Sequence, residues 1–236
     1  MIQDLIFEKS ESDNWFLRNK EVLIQKKHDD DLITTLIDKL SNKNEIKSVI
    51  ELGSSNGYRL NLLKNVLVNC ERFVGVEASK MAVEDGISRY GLEMYHSTLD
   101  AFTMNKEKFD LVIVNFVFHW IDRENIFKAI ANTDQLLKDG GCLILGDFLS
   151  DFPERRDYHH LSDDNIFTYK IDCSSAFKSM NTYKEMYRIM FNHDETTTIQ
   201  SHFKDERIGF ACSNERGFCS ILRKDLNGYY YEYHHK

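Results

Sequence analysis

The sequence predicts an α/β fold: a doubly wound, mostly parallel sheet that ends in an antiparallel hairpin. Short runs rich in Val, Ile and Leu recur between residues 46 and 147, with the length and composition of strands buried on both faces. Helical periodicity fills the gaps between them, and such alternation builds parallel sheets covered by helices. Near the carboxyl end, "ERIGFACS" and "GFCSILRK" are separated only by Asn214, Glu215 and Arg216. No helix fits there, so these two runs should pair antiparallel at the sheet's edge.

Taken in order, residues 1–45 read as a helical cap anchored by Trp15, Phe16, Leu17, Val22, Leu23, Leu32, Leu36 and Leu40. The strand runs are 49–52, 73–76, 109–114 and 142–145. Between the first two, residues 58–68 place Leu60, Leu63 and Leu67 on one helical face. Asp122 is expected to cap a helix carrying Ile126, Ile130 and Leu137 inward, with Gly140 closing it. Residues 148–204 then form an insertion rich in aromatics and histidine, and 205–236 hold the hairpin and a tail. The whole chain, 1–236, reads as one domain with a core at 46–147.

The 236 residues can bury one full core. A formal net charge of −8, with no run of Lys and Arg to suggest a local basic stripe, weighs against a generic nucleic-acid binder and leaves a small molecule as the expected partner. No apolar stretch approaches the roughly 18 residues of a membrane span. The amino terminus lacks the basic and apolar regions of a secretory signal. Five cysteines are scattered and never paired as CxxC, which argues against disulfides and structural zinc and for a reducing cytoplasm.

In "VIELGSSNGYRL", an apolar strand ends on Glu51 and breaks into Gly53, Ser54, Ser55, Asn56 and Gly57 before a helix begins. Glycine lets backbone approach a ligand and lets the helix start tight against the strand. A phosphate would be repelled by Glu51, and neither G-x-G-x-x-G nor G-K-[ST] is present, so a cationic ligand suits the turn better than an anion. A plain turn is the alternative. The spacing Glu51-x-Gly53-Ser54-Ser55-Asn56-Gly57 resembles motif I of the class I S-adenosylmethionine-dependent methyltransferases, written [DE]-x-G-x-G-x-G, with Ser55 in place of the middle glycine. That resemblance implies a Rossmann-like fold of seven strands, S-adenosylmethionine as cofactor, and the methionine part of the cofactor over this turn.

Three more stretches match in order. "RFVGVEAS" ends at Glu77, the position of the family's ribose acid, with Ala78 beside it; a solvated strand-end glutamate is the alternative. "HSTLDAF" and "KFDLVIVNFVFHW" resemble the adenine turn and fourth strand, which implies Thr98 and Leu99 at the adenine and Asn115 beside the transferring methyl. "LLKDGGCLILGDF" resembles the turn into the fifth strand, with Asp139 where proline is usual. The resemblance spans about 46–147 together with the terminal hairpin.

Ligands of such sheets bind beyond the carboxyl ends of the strands, so the acceptor chemistry belongs after strands four and five. Candidates there are His119, Tyr158, His159 and His160 for catalysis and Arg155, Arg156 and Tyr169 for substrate binding, with Asp147 and Lys170 nearby. Trp120 is expected to pack over the cofactor, and His119 reads equally as core or site. Of the adjacent His159 and His160, at most one should face the site, as base, ligand or plain surface. The arginine pair suits an anionic group or a solvated turn. His193, Asp194 and His202 have no metal-ligand spacing, so no metal is expected. The insertion also resembles segments of bacterial methyltransferase-domain proteins, some associated with glycan biosynthesis, which points to a small polar, acidic or sugar-like acceptor. The expected activity is O- or N-methyl transfer (EC 2.1.1.-). The alternatives are a protein or RNA methyltransferase, disfavoured by charge and by the missing N/D-P-P-Y motif, and a non-catalytic cofactor-binding subunit.

Overall fold

A computed structural model describes residues 2–161, 166–193 and 216–230. Its frame is five parallel strands: β1 (Ser48–Leu52), β2 (Arg72–Glu77), β3 (Glu93–His96), β4 (Phe109–Asn115) and β5 (Leu137–Phe148). Two more, β8 (Tyr183–Asn192) and β9 (Arg216–Lys224), complete the order β3-β2-β1-β4-β5-β9-β8, with β9 antiparallel to both neighbours. Strand order reverses between β1 and β4, which opens a crevice at their carboxyl ends.

Alternation along each strand divides the core into two layers. Ile50, Leu52, Val112, Val114, Leu143 and Leu145 face one side, with α6 (Ile126–Leu136). Val49, Leu111, Ile113 and Ile144 face the other, against α3 (Leu32–Asp38) and α4 (Tyr58–Val66). Helices α1 (Ile2–Ile6) and α2 (Ser12–Gln25) extend the cap, where Phe16 and Leu23 pack with Tyr58 and with Ala82 of α5 (Lys80–Tyr90). Leu17 and Val22, expected as anchors, are exposed, because only the Phe16 and Leu23 stripe of α2 meets the body.

Three expectations change. Asn125, not Asp122, caps α6, while the Asp122 carbonyl accepts from Asn125 N at 2.9 Å in the turn before it. That helix stops at Leu136; Leu137 already belongs to β5, and a register shift between its pairings with Phe109 and Leu111 takes up the Asp139-Gly140-Gly141 stretch. Third, β9 pairs with Tyr183–Asn192 rather than with residues 206–213, which lie outside the described residues. Both edges of β9 are filled, by β5 and β8. The expected insertion therefore contributes sheet: besides β8 its described residues hold the hairpin β6 (Glu154–Asp157) and β7 (Phe167–Lys170) and the short α7 (Ser174–Lys178). Among the described residues no helix is long and apolar enough to cross a membrane.

Candidate functional site

At the carboxyl ends of β1, β2, β4 and β5 lies a cavity of about 760 Å³. Its floor is the turn after β1. Gly53 and Gly57 hold φ of 76° and 72°, where a side chain is strained, and a Cβ on Gly53 would strike Val117 at 2.3 Å. Ser55 sits in the same left-handed region at φ 50°, its hydroxyl buried at the cavity wall and without a hydrogen-bond partner. Glu77 at the tip of β2 accepts from Ser55 N at 2.7 Å and from Ser79 N at 2.9 Å, which ties the turn to the next strand. Burial raises the Glu77 carboxyl above its usual range, against these backbone donors. Ala78, Thr98 and Leu99 continue the wall, and Asn132 Nδ2 holds the Leu99 carbonyl at 3.0 Å.

Glu51 departs from its expected place. It does not line the cavity, and neither does Gly57, which serves as the N-cap of α4. The cation that Glu51 meets is Arg59. The same guanidinium bonds Asp31 through Nε at 3.0 Å and Nη2 at 2.9 Å, and Tyr58 Oη donates to Asp31 at 3.1 Å. Burial pushes the Glu51 carboxyl up to about 7, because Asp31 already shares the guanidinium and adds a like charge. Asp31 itself is held far below the carboxylate range, by Arg59, despite its burial. Asp31 and Arg59 both line the cavity and were missed in the sequence, where Asp31 follows two further acids and looks like a solvated helix start.

The acceptor side begins at Asn115, where β4 ends. Next to it, His119 is buried with Nδ1 2.9 Å from Asp147 Oδ1, in a direction that falls short of a hydrogen bond. Asp147 is fixed in turn by His119 N at 3.1 Å and Phe148 N at 2.8 Å. The β6–β7 hairpin roofs this end. Its pleat sends Arg156, Thr168 and Lys170 to the cavity, while Arg155 lies over the Phe167 ring and Tyr169 beneath Arg123. Arg155 and Tyr169 are thus not lining residues, and the Arg156 guanidinium is held by Glu154.

Tyr158 lines the cavity with its ring, yet its hydroxyl donates to Glu11 at 2.6 Å and accepts from Arg18 at 3.0 Å. Burial and Glu11 raise its pKa well beyond the ordinary phenol range, and the hydroxyl is turned to the cap. His159 and His160 both reach the rim, because they sit in a turn rather than on a regular element. Desolvation and the neighbouring His159 lower the pKa of His160. The amino-terminal segment closes the far side: Gln3 Nε2 donates to the Trp120 and Phe167 carbonyls, both at 2.8 Å. Among the described residues no group of His, Cys, Asp or Glu is placed to hold a metal.

A family profile described as a methyltransferase domain matches residues 25–183, well over half the chain. The chain belongs to this methyltransferase family. No curated protein sequence matches. Solved structures agree in fold. N-methyltransferase NodS from Bradyrhizobium japonicum WM9, solved with S-adenosyl-L-homocysteine, is 14% identical over 88% of this chain and 97% of its own, at TM-score 0.54. A methyltransferase in complex with the Haloferax volcanii Trm112 activator is 14% identical over 96% of this chain and 99% of its own, at TM-score 0.64. Burkholderia thailandensis 1,6-didemethyltoxoflavin-N1-methyltransferase, solved with 1,6-didemethyltoxoflavin and S-adenosylhomocysteine, is 11% identical over 95% and 88%, at TM-score 0.63. At these identities the likeness is of fold: the seven-stranded sheet with its antiparallel end is that of the class I S-adenosylmethionine-dependent methyltransferases.

Proposed function

We propose that this methyltransferase uses S-adenosylmethionine to methylate an oxygen or nitrogen of a small molecule. The cofactor supplies a methyl group on a sulfonium, an electrophile that needs alignment more than activation. The residues fit it: the orphaned Ser55 hydroxyl gains a partner at the methionine end, Glu77 has lone pairs left for a ribose, and Thr98 and Leu99 border an apolar slot for a base. Asn115 and the rings beyond it enclose the acceptor and keep water from it.

The observation that carries the reading is the His119–Asp147 pair beside Asn115. The pair sets a buried carboxylate 2.9 Å from Nδ1 of an imidazole at the end of β4, where a general base would stand when the nucleophile arrives as O–H or N–H. Walls from Phe7, Trp120 and the β6–β7 hairpin favour a small molecule over a polymer, and a cytoplasmic setting accords with the free thiols at Cys70, Cys142, Cys173 and Cys219. His119→Asn should lower methyl transfer to a cell-extract metabolite pool by about 10²-fold or more, with affinity for S-adenosylhomocysteine unchanged. Full transfer by that variant would remove His119 from the chemistry; no transfer by the parent protein under any pool would favour a binding subunit.

A further inference from the structure

Beyond Asn115 the acceptor side of the cavity is built from rings in mutual contact. Phe116 meets Phe148 at 5.0 Å and His193 at 4.9 Å, centroid to centroid, and Phe148 meets His119 at 5.0 Å. From His119 the series runs to Trp120 at 5.2 Å, and Trp120 meets Tyr158 at 4.4 Å and Phe7 at 5.1 Å. All of these residues line the cavity. Phe116 is held at φ 56°, a backbone conformation that costs a bulky residue free energy, with its N–H fixed on the Gly146 carbonyl at 2.8 Å. Phe116, Phe148 and Trp120 stay half-exposed to the cavity rather than closing on one another as a core would.

We infer that this wall binds a planar aromatic or heteroaromatic acceptor carrying a hydroxyl or ring N–H; the inference rests on the methyl-transfer reading and names its substrate class. Rings set edge-to-face or tilted around an open space offer both faces and edges to a guest ring, and stacking of this kind discriminates flat from saturated molecules. The polar side chains of this end, Arg156, His159 and His160 among them, lie at the hairpin and the rim, while the wall beside Asn115 and His119 is made of Phe116, Phe148 and Trp120, which favours a flat guest there over a sugar. Aromatic walls also receive cations, but the Lys170 ammonium already lies 4.0 Å over the Phe148 ring and adds positive charge to the same wall. His119 sits within the ring series, so a phenolic hydroxyl or ring N–H on a guest would meet the base. The sugar-like acceptor suggested by the insertion gives way to a flat one.

The test titrates the full-length protein, with and without saturating S-adenosylhomocysteine, with 4-hydroxybenzoate, 8-hydroxyquinoline, 4-hydroxycyclohexanecarboxylate, glucose 6-phosphate and choline, followed by tryptophan emission and calorimetry. At least one aromatic probe should bind tenfold or more tighter than the saturated ring acid, the sugar phosphate and choline. Trp120→Leu should abolish that preference and Trp120→Phe should keep it. Equal affinities, a preference for the sugar phosphate or choline, no binding of any probe, or a preference surviving in Trp120→Leu overturns the proposal. An aromatic preference in a protein that gives no heat with S-adenosylhomocysteine would instead overturn the methyl-transfer reading and leave the aromatic site standing.

Discussion

Ser55 stands where the family motif has glycine, and it pays for that in backbone strain at φ 50°. A buried hydroxyl with no partner in the protein accounts for the exchange if it bonds the cofactor. Ser55→Gly should therefore hold or raise thermal stability, by up to about 1 kcal/mol, while weakening S-adenosylhomocysteine binding about fivefold, the worth of one neutral hydrogen bond. Equal affinity would mean the hydroxyl points at nothing in the complex. Glu51 makes a second test. Its carboxyl, raised from 4.5 to about 7 by burial, favours the neutral form in the fold. The stability this contributes is present in full below about pH 4.5 and is lost as pH rises through 7. Compared across pH 4–8 by thermal unfolding, Glu51→Gln should match the parent in acid and exceed it by about 3 kcal/mol at pH 8. A variant that is less stable at pH 8 would show an ionised Glu51 paired productively with Arg59. The sequence signalled that Glu51 needs a cation. It did not signal that Arg59, eight residues on, is that cation, because the pairing depends on Asp31 arriving from the cap.

At the scale of elements, the cap and the β6–β7 hairpin are joined by polar contacts that no short motif announces. Glu11 is buried on α2's approach and shared between Tyr158 and Arg18, and Gln3 spans Trp120 and Phe167. Tyr158→Phe leaves the Glu11 carboxylate short of one donor, at a cost of about 1–3 kcal/mol. It should speed proteolysis within residues 1–25 and lower the unfolding midpoint. Turnover should suffer far less than in His119→Asn, because a hydroxyl turned to the cap is not the base; a loss as large as that of His119→Asn would restore Tyr158 to the chemistry. The hairpin also shows why Tyr169 read as a site residue and Thr168 did not. Charged four-residue strands such as "ERRD" and "FTYK" carry no apolar alternation, so their pleat, and with it the choice of which side chains face inward, is set by what they pack on.

For the molecule as a whole, the parallel frame was legible because β1, β2, β4 and β5 are buried on both faces and read as unbroken Val, Ile and Leu runs. The edge strands were not. β3 is largely exposed, and β8 mixes Lys184, Met186, Tyr187 and Met190 outward with Tyr183, Ile189 and Phe191 inward, so neither forms an apolar run. Proximity in sequence then favoured residues 206–213 as the partner of β9, whereas the sheet reaches back to β8 across a long connection. The turn after β1 and the acid ending β2 were legible because both are local, and they converge on one cavity with Thr98 and Leu99 only through the strand order. Methyl transfer by this chain requires that convergence to be a cofactor site. Calorimetric titration of S-adenosylhomocysteine into the parent protein and Glu77→Ala measures it most directly. One site per chain, silence toward NAD, and a loss of about tenfold or more in Glu77→Ala are the results expected; no heat with S-adenosylhomocysteine, or binding of NAD in its place, would contradict the account.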